Sequence, residues 1–155
     1  MFDPVDIKDP RLRDLYNYWE SKKRGDRLPA RADIDPVEIP GLLRNVALVR
    51  VIGDAEDFEI VLAGSRIEEV HGRSLKGVSI STLREKLETS PAIRQYAEVV
   101  RHAEPRYREG DLKIFGKEHW WSHRLLLPLS SDGKRVDMML AGVFFAPASQ
   151  PGQLG

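Results

Sequence analysis

Two blocks of strand-like runs constrain the fold more than any other feature of the sequence. The runs are residues 46–52 and 58–62 in the first block and 107–115, 119–129 and 136–145 in the second, and apolar residues alternate with polar ones most clearly in 58–62 and 119–129. Turn signals separate neighbouring runs at Gly53-Asp54-Ala55 and at Asp132-Gly133. Because hairpins pair antiparallel strands, the helices between the blocks cannot be crossovers of a parallel sheet. The sequence therefore predicts an α+β fold, a five-stranded antiparallel sheet with short helices on one face.

The last run, residues 136–145, is apolar at nearly every position. A strand that is apolar on both faces belongs in the middle of a sheet, because both of its faces are then buried. We expect this strand at the centre, beside the first strand.

An amphipathic helix precedes the strands. Asp9-Pro10 provides an N-cap followed by a proline that is pre-set for the first helical turn. Leu12, Leu15, Tyr16 and Trp19 then recur at helical spacing, and Gly25 follows three basic residues. We expect a helix over residues 10–24, preceded by an N-terminal extension of residues 1–8.

Short helices are predicted between the two strand blocks. Capping-box patterns stand at Ser65–Glu68 and Thr82–Glu85, and Ser90-Pro91 opens a helix that ends near Ala103. Residues 147–155 are rich in Pro, Ser, Gln and Gly, which is typical of a disordered tail. The predicted domain is therefore residues 9–146.

Composition excludes several classes of function. The chain has 24 Lys plus Arg and 24 Asp plus Glu, so it lacks the basic surplus of a nucleic-acid binder. It has no cysteine, which excludes disulfides, thiol catalysis and a cysteinyl flavin adduct. The N-terminus lacks the pattern of a secretory signal, and the apolar stretch 138–146 is far shorter than the roughly 20 residues of a spanning helix. We expect a cytoplasmic protein with no membrane contact.

Several stretches resemble the PAS-fold family, and in particular a proteobacterial subfamily of stand-alone PAS-like proteins. The matching residues are 15–19 (LYNYW), 28–36 (LPARADIDP), 62–67 (LAGSRI), 72–77 (GRSLKG) and 125–129 (LLLPL). The order of predicted strands and helices is similar to that fold as well. The resemblance covers roughly residues 9–146. It implies sensing or protein–protein signalling, and it supplies no agreed catalytic residues.

The histidines do not predict a metal or haem site. His119 and His123 are four residues apart, but Trp120 stands where a zinc protease helix has its glutamate. On a strand, that spacing separates the two side chains by about 13 Å, too far for one ion. Some PAS domains hold haem through a histidine, and here His102 and His71 lie outside the strands. A lone helical histidine is more often structural, so haem, flavin and metal are all unexpected.

No catalytic motif is apparent. The sequence has no Gly-x-Ser-x-Gly nucleophile elbow, and the segment Gly64–Gly72 lacks the spacing and the lysine of a phosphate-binding loop. We therefore expect no enzymatic activity.

The inner face of the sheet offers a candidate ligand cavity. Its predicted lining is Phe58, Ile60, Leu62, Ile67, Val70, Tyr96, Trp121, His123 and Leu125. An apolar lining with a few polar groups, here Tyr96 and His123, is typical of a small-molecule site. It is equally typical of a filled core, so both interpretations stay open.

The pair Trp120-Trp121 predicts large apolar area on both faces of the sheet, because neighbouring strand side chains point to opposite faces. Trp120 is expected on the outer face. The helical stripe of Leu12, Leu15, Tyr16 and Trp19 is the expected cover for that face. The cover could come from the same chain, or from a second copy in a homodimer.

These inferences favour a non-catalytic PAS-like sensory module that acts through contact with another signalling protein, since the fold uses nearly the whole chain. A small molecule in the apolar cavity would gate that contact. The alternative is a constitutive dimeric adaptor with a filled core and no ligand, and a small enzyme that uses the cavity is the least favoured hypothesis. The identity of any ligand and of the partner lies beyond the sequence.

Overall fold

The computed structural model describes residues 2–83, 91–112 and 116–152. The helices are α1 (Pro10–Ser21), α2 (Ser65–His71) and α3 (Pro91–His102). The strands are β1 (Val46–Ile52), β2 (Asp57–Ala63), β3 (Arg106–Leu112), β4 (Lys117–Leu129) and β5 (Met138–Pro147). The expected completion of the second capping box at Glu85, the Ser90 cap, strand residues 113–115 and the last three tail residues lie outside the described residues.

The five strands form one antiparallel sheet in the order β2-β1-β5-β4-β3. The predicted α+β architecture and the β1–β2 hairpin are thereby confirmed. β5 lies at the centre, between β1 and β4, as its apolar composition indicates. Alternate side chains of β5 point to opposite faces of the sheet, and most of them are buried.

The sheet has a core on each face. The inner core lies under α2 and α3 and includes Val49, Phe58, Ile60, Ile67, Val70, Leu75, Tyr96, Val99, Leu126, Met139, Ala141 and Phe145. The outer core lies under α1 and includes Ile7, Leu12, Leu15, Trp19, Leu48, Leu125, Leu127, Leu129, Leu140 and Phe144. None of the described helices has the length and apolar character that crossing a membrane requires.

The helix α1 begins where the sequence predicts and ends earlier. The Asp9 carboxylate accepts a hydrogen bond from the Arg11 amide at 2.7 Å, which caps the first turn. The helix ends at Ser21, because Arg24 and Arg27 exchange backbone hydrogen bonds in a turn that contains Gly25 at φ +63°. That turn removes residues 22–24 from the predicted helix.

α1 is held closely against the sheet. The Trp19 indole N–H donates to the Pro128 carbonyl at 2.8 Å in a buried hydrogen bond. A Cβ at Gly142 would lie 2.6 Å from Leu15 and 2.8 Å from Leu12, so the absence of a side chain there lets the helix approach β5. Ile7, which the sequence predicts to lie in an extension, is fully buried in the outer core.

Candidate functional site

The structure reverses the predicted faces of β4. His123 pairs with Phe144 and Leu125 pairs with Gly142, both of which lie under α1. Trp121, His123 and Leu125 therefore belong to the outer face and do not line the inner cavity. The period of two residues requires adjacent side chains to point oppositely, but it does not say which set faces the helices.

Trp120 lies on the inner face, contrary to the expectation that it sits outside. Its ring packs edge-on against Phe145 at 6.3 Å between centroids. The Arg66 guanidinium of α2 lies 5.1 Å from the centre of the Trp120 ring. Trp120 therefore contributes to the inner core and has no place in an outer-face interface.

The prediction that Leu62 lines the inner cavity is also wrong. Leu48 pairs with Leu62, whereas the next residue, Val49, pairs with Ile60. This β-bulge adds a residue to β2 at Val61, which shifts the alternation by one position. The Leu62 side chain is consequently 42% exposed and lies outside the cavity.

The other five predicted lining residues, Phe58, Ile60, Ile67, Val70 and Tyr96, belong to the inner core. Of these, Ile60, Ile67 and Tyr96 line the cavity between the sheet and the helices, whereas Phe58 and Val70 are core residues outside its wall. The rings of Phe58 and Tyr96 are 5.1 Å apart between centroids, which joins β2 to α3.

The predicted interface stripe is covered by its own chain. Leu12, Leu15 and Trp19 are at most 2% exposed within one copy of the chain. Tyr16 is half-buried and packs beside Phe2 and Trp19. The outer face thus does not require a second copy to bury its apolar side chains.

A cavity of about 50 Å³ lies between the inner face and the helices. Its wall is mostly apolar and includes Val49, Ile60, Ile67, Leu75, Val143 and Phe145. Three polar side chains interrupt this wall, from α2 (His71), α3 (Tyr96) and β4 (Arg124). We call this space the inner cavity.

Arg124 is the charged group of the inner cavity. It is only 8% exposed, and its Nε donates to the Gln95 Oε1 at 2.8 Å. Its guanidinium carbon lies 5.4 Å from the centre of the Tyr96 ring. Among the described residues, no carboxylate lies within salt-bridge distance of Arg124, and the buried Gln95 Nε2 has no hydrogen-bond partner.

Sequence reasoning missed Arg124 because it placed this residue on the polar side of β4. One signal could have found it. Arg124 shares its strand parity with Leu126 and directly precedes three consecutive leucines. A charge beside such an apolar run indicates a buried position that needs a counterpart.

Burial lowers the pKa of His71 to about 4, and the positive charges of Lys117 and Arg124 add to this effect. His71 is therefore neutral at pH 7. Burial also lowers the pKa of Arg108, the cross-strand neighbour of Arg124, and the charges of Arg124 and Arg94 lower it further. The effect of Arg124 and Arg94 on Arg108 marks a region of positive potential beside the inner cavity.

A second, open groove of about 700 Å³ lies on the outer side, beside the start of α1. Its lining includes Lys8, Asp9, Arg11, Glu109, Trp121 and His123. Glu109 is already engaged there, since its carboxylate accepts a hydrogen bond from Lys8 at 2.8 Å. Burial alone would raise the pKa of Glu109, but the contacts with Lys8, His123 and Trp121 together lower it.

His123 joins this groove to the C-terminal segment. Its Nε2 lies 2.9 Å from the Pro151 carbonyl, which can only accept, so Nε2 carries the hydrogen. In the neutral ring, Nδ1 then accepts from the Tyr107 hydroxyl at 2.9 Å. Burial and the nearby Glu109 raise the pKa of Tyr107, which keeps this donor protonated. The arrangement anchors the segment after β5 and leaves the His123 ring nitrogens occupied.

The histidines considered for a cofactor are separated in space. His71 lies at the inner cavity, whereas His102 is exposed at the end of α3. Within the described ranges there is no group of three His, Cys, Asp or Glu side chains that could hold a metal ion.

Solved structures with a similar fold include photoreceptor domains. The Rhodobacter sphaeroides LOV protein is 14% identical, with a TM-score of 0.52 over 72% of this chain and 68% of that one. The dark structure of the blue-light photoreceptor Aureochrome1 LOV is 15% identical, with a TM-score of 0.52 over 81% of this chain and 92% of that one. At these identities the likeness concerns the fold alone. A comparison with curated protein sequences finds no match.

Because the similar structures include light-oxygen-voltage photoreceptor domains, we asked whether this chain could hold a flavin. Its residues do not fit a flavin. The chain has no cysteine for a flavin adduct. The inner cavity of about 50 Å³ holds only a few non-hydrogen atoms, whereas ligand pockets usually measure roughly 300–1,000 Å³.

Family comparison accounts for nearly the whole fold described above. The model of the PAS domain family matches residues 7–145, from the first buried residue of the outer core to a point two residues before β5 ends. PAS domains are signalling modules of the sensory type. This chain belongs to the PAS domain family.

Proposed function

We propose that this protein is a non-catalytic sensory module that acts by contact with another protein, and that occupancy of the inner cavity changes this contact. Membership of the PAS family supports the sensory role. The observation that carries the gating is the inner cavity with the largely buried guanidinium of Arg124 in its wall. A cavity that held only a packing defect would be lined by apolar groups and would stay dry.

The architecture offers a short route from the cavity to the opposite face. Arg124 lines the inner cavity, and its neighbour Leu125 packs under α1. A shift of β4 at the cavity therefore acts directly on the contact between the sheet and α1. For gating, the ligand has to bind one arrangement of these elements better than the other.

The experiment compares a blocked cavity with an unblocked one. Ala141 is 2% exposed and lines the cavity, so Ala141→Leu fills it, whereas Ala32→Leu makes the same change at an exposed site. Each tagged protein is used to capture proteins from its source cells, and the bound proteins are quantified by mass spectrometry. We expect Ala141→Leu to change the recovery of a partner several-fold and Ala32→Leu to leave it unchanged.

Equal recovery with both variants would instead support a constitutive adaptor with a filled core. The small volume of the inner cavity, about 50 Å³, favours this second candidate. Recovery of no partner by any of the three proteins would contradict both candidates.

The proposal includes a homodimer. Since α1 covers the outer face within one copy, a two-fold contact has to use other surfaces. Exposed apolar side chains stand at Val5 and Val37, which are 76% and 82% exposed. Light scattering coupled to gel filtration should give twice the chain mass, and a monomer at high concentration would remove this part of the proposal.

The absence of enzymatic activity and a cytoplasmic location remain predictions of the sequence. The first rests on the lack of a catalytic motif and the second on the absence of cysteine. Activity screening of the purified protein and fractionation of its source cells test them.

A further inference from the structure

We infer that the inner cavity binds a small planar oxyanion of three or four non-hydrogen atoms, such as a one- or two-carbon carboxylate, held by Arg124. The inference rests on the proposed function in one respect, because it assigns a ligand class to the same cavity. The shared chemistry is a single negative charge spread over two or more coplanar oxygens, which matches the fork of a guanidinium.

Charge is the first argument. Arg124 is 8% exposed and its Nε binds the Gln95 amide oxygen, which is neutral. Its two terminal nitrogens have no hydrogen-bond partner among the residues that the structure describes. Buried charges in proteins are normally paired, because an isolated ion loses its hydration without compensation. An anion in the adjoining cavity would supply the missing counter-charge.

The charged side chains around Arg124 also favour the binding of an anion. Arg108 lies opposite Arg124 on β3, and the charges of Arg124 and of Arg94 of α3 both act on Arg108. Asp111 offsets part of this charge at Arg108. The nearby Glu98 is paired with Arg106. His71 contributes no negative charge, because an imidazole is either neutral or positive.

Size is the second argument. One water molecule needs roughly 10–15 Å³ of cavity volume. A volume of about 50 Å³ therefore accommodates roughly three to five atoms of water size. Formate, acetate and nitrate meet this limit. The apolar remainder of the wall, including Phe145 and Val143, suits a methyl group and no second charge.

The test measures thermal shift and titration calorimetry of the full chain in a chloride buffer. The probes are sodium formate, sodium acetate and sodium nitrate, with acetamide as the neutral match of acetate and sodium benzoate as an oversized carboxylate. Chloride compensates the ionic strength throughout. We expect the three small anions to raise the Tm saturably by several degrees, while acetamide and benzoate have no effect.

Variants assign the site. Arg124→Met removes the charge at similar length and should abolish the response to acetate, as should Ala141→Leu, which blocks the cavity while keeping Arg124. Arg101→Gln removes an exposed arginine from the end of α3 and should leave the response unchanged. If Arg124→Met does not fold, Ala141→Leu still decides the matter.

Three outcomes would overturn the inference. One is that acetate shifts the Tm no more than acetamide does. Another is that Arg124→Met and Ala141→Leu respond like the wild type. The third is that Arg94→Gln abolishes the response while Ala141→Leu keeps it, because the anion would then bind in the open groove between α3 and β3.

Failure of this inference and failure of the proposed function are distinguishable. If Ala141→Leu changes partner recovery but no anion binds, the result supports gating by the cavity and contradicts the oxyanion ligand. If acetate binds through Arg124 but partner recovery is the same for all variants, the result supports the anion site and contradicts gating by the cavity.

Discussion

At the scale of single residues, the polar groups of this domain are paired on the outer side and incompletely paired on the inner side. Outside, Glu109 binds Lys8, and both ring nitrogens of His123 are engaged. Inside, the residues that the structure describes give Arg124 one hydrogen-bond partner, the neutral amide of Gln95. Because an unpaired buried group costs stability, this contrast favours the inner cavity as the functional site.

The partly buried His71 predicts a loss of stability in mild acid. Its pKa is about 4 in the folded protein against 6.5 as the ordinary value, so the unfolded chain takes up the proton first as the pH falls. Stability is therefore complete above pH 6.5 and declines toward pH 4, by about 2 kcal/mol at pH 5. Urea unfolding at pH 7 and pH 5 measures this decline.

Two matched variants isolate the histidine. In His71→Gln the decline between pH 7 and pH 5 should shrink to what the carboxylates contribute. His102→Gln, which removes an exposed histidine, should retain it in full. The same decline in all three proteins would show that His71 does not cause it.

At the scale of elements, the packing of α1 on β5 depends on one missing side chain. Gly142→Ala would place a methyl carbon 2.6 Å from Leu15 and 2.8 Å from Leu12, both of which are buried. Overpacking of this kind costs roughly 1–3 kcal/mol. We expect chemical denaturation to show a loss in that range.

Gly41→Ala is the matched control, since a Cβ at Gly41 would meet no atom within 4 Å and the φ of this residue is not in the left-handed region. Leu15→Ala should partly rescue Gly142→Ala by vacating the space. Equal stability of Gly142→Ala and Gly41→Ala would contradict the close approach of the helix.

The strands and helices also show which features of the fold sequence patterns can predict. Periodicity and turn signals predicted the five strands, the β1–β2 hairpin, the central position of β5 and the starts of α1 and α2. The pattern failed at Leu62, because a bulge changes the phase of alternation without a signal in the sequence. It also failed for Trp121, His123 and Leu125, because both sets of β4 side chains are apolar enough to face a core.

At the scale of the whole molecule, the sheet is stable only when both faces are covered. A chain beginning at Gly25 lacks α1 and exposes Leu125, Leu127 and Phe144, which are at most 3% exposed in the intact protein. A contiguous apolar area of this kind drives association. We expect the truncated chain to aggregate or to bind a hydrophobic dye such as ANS strongly, as measured by light scattering and fluorescence.

A chain beginning at Ile7 is the control, because it keeps the first fully buried residue of the outer core. It should remain folded with nearly the wild-type Tm. A folded, monomeric chain without residues before Gly25 would mean that α1 is dispensable for covering the sheet.

The sequence alone determined the class of fold, the strand order at the centre and the amphipathic character of α1. These follow from local propensity, turn chemistry and the period of apolar residues, which act between near neighbours in the chain. Only the tertiary structure decided which face of β4 meets α1, that α1 of the same chain covers the outer face, and that Arg124 lines a small cavity beside Gln95. These features depend on contacts between residues far apart in sequence, and alternation along one strand is equally consistent with either choice of face.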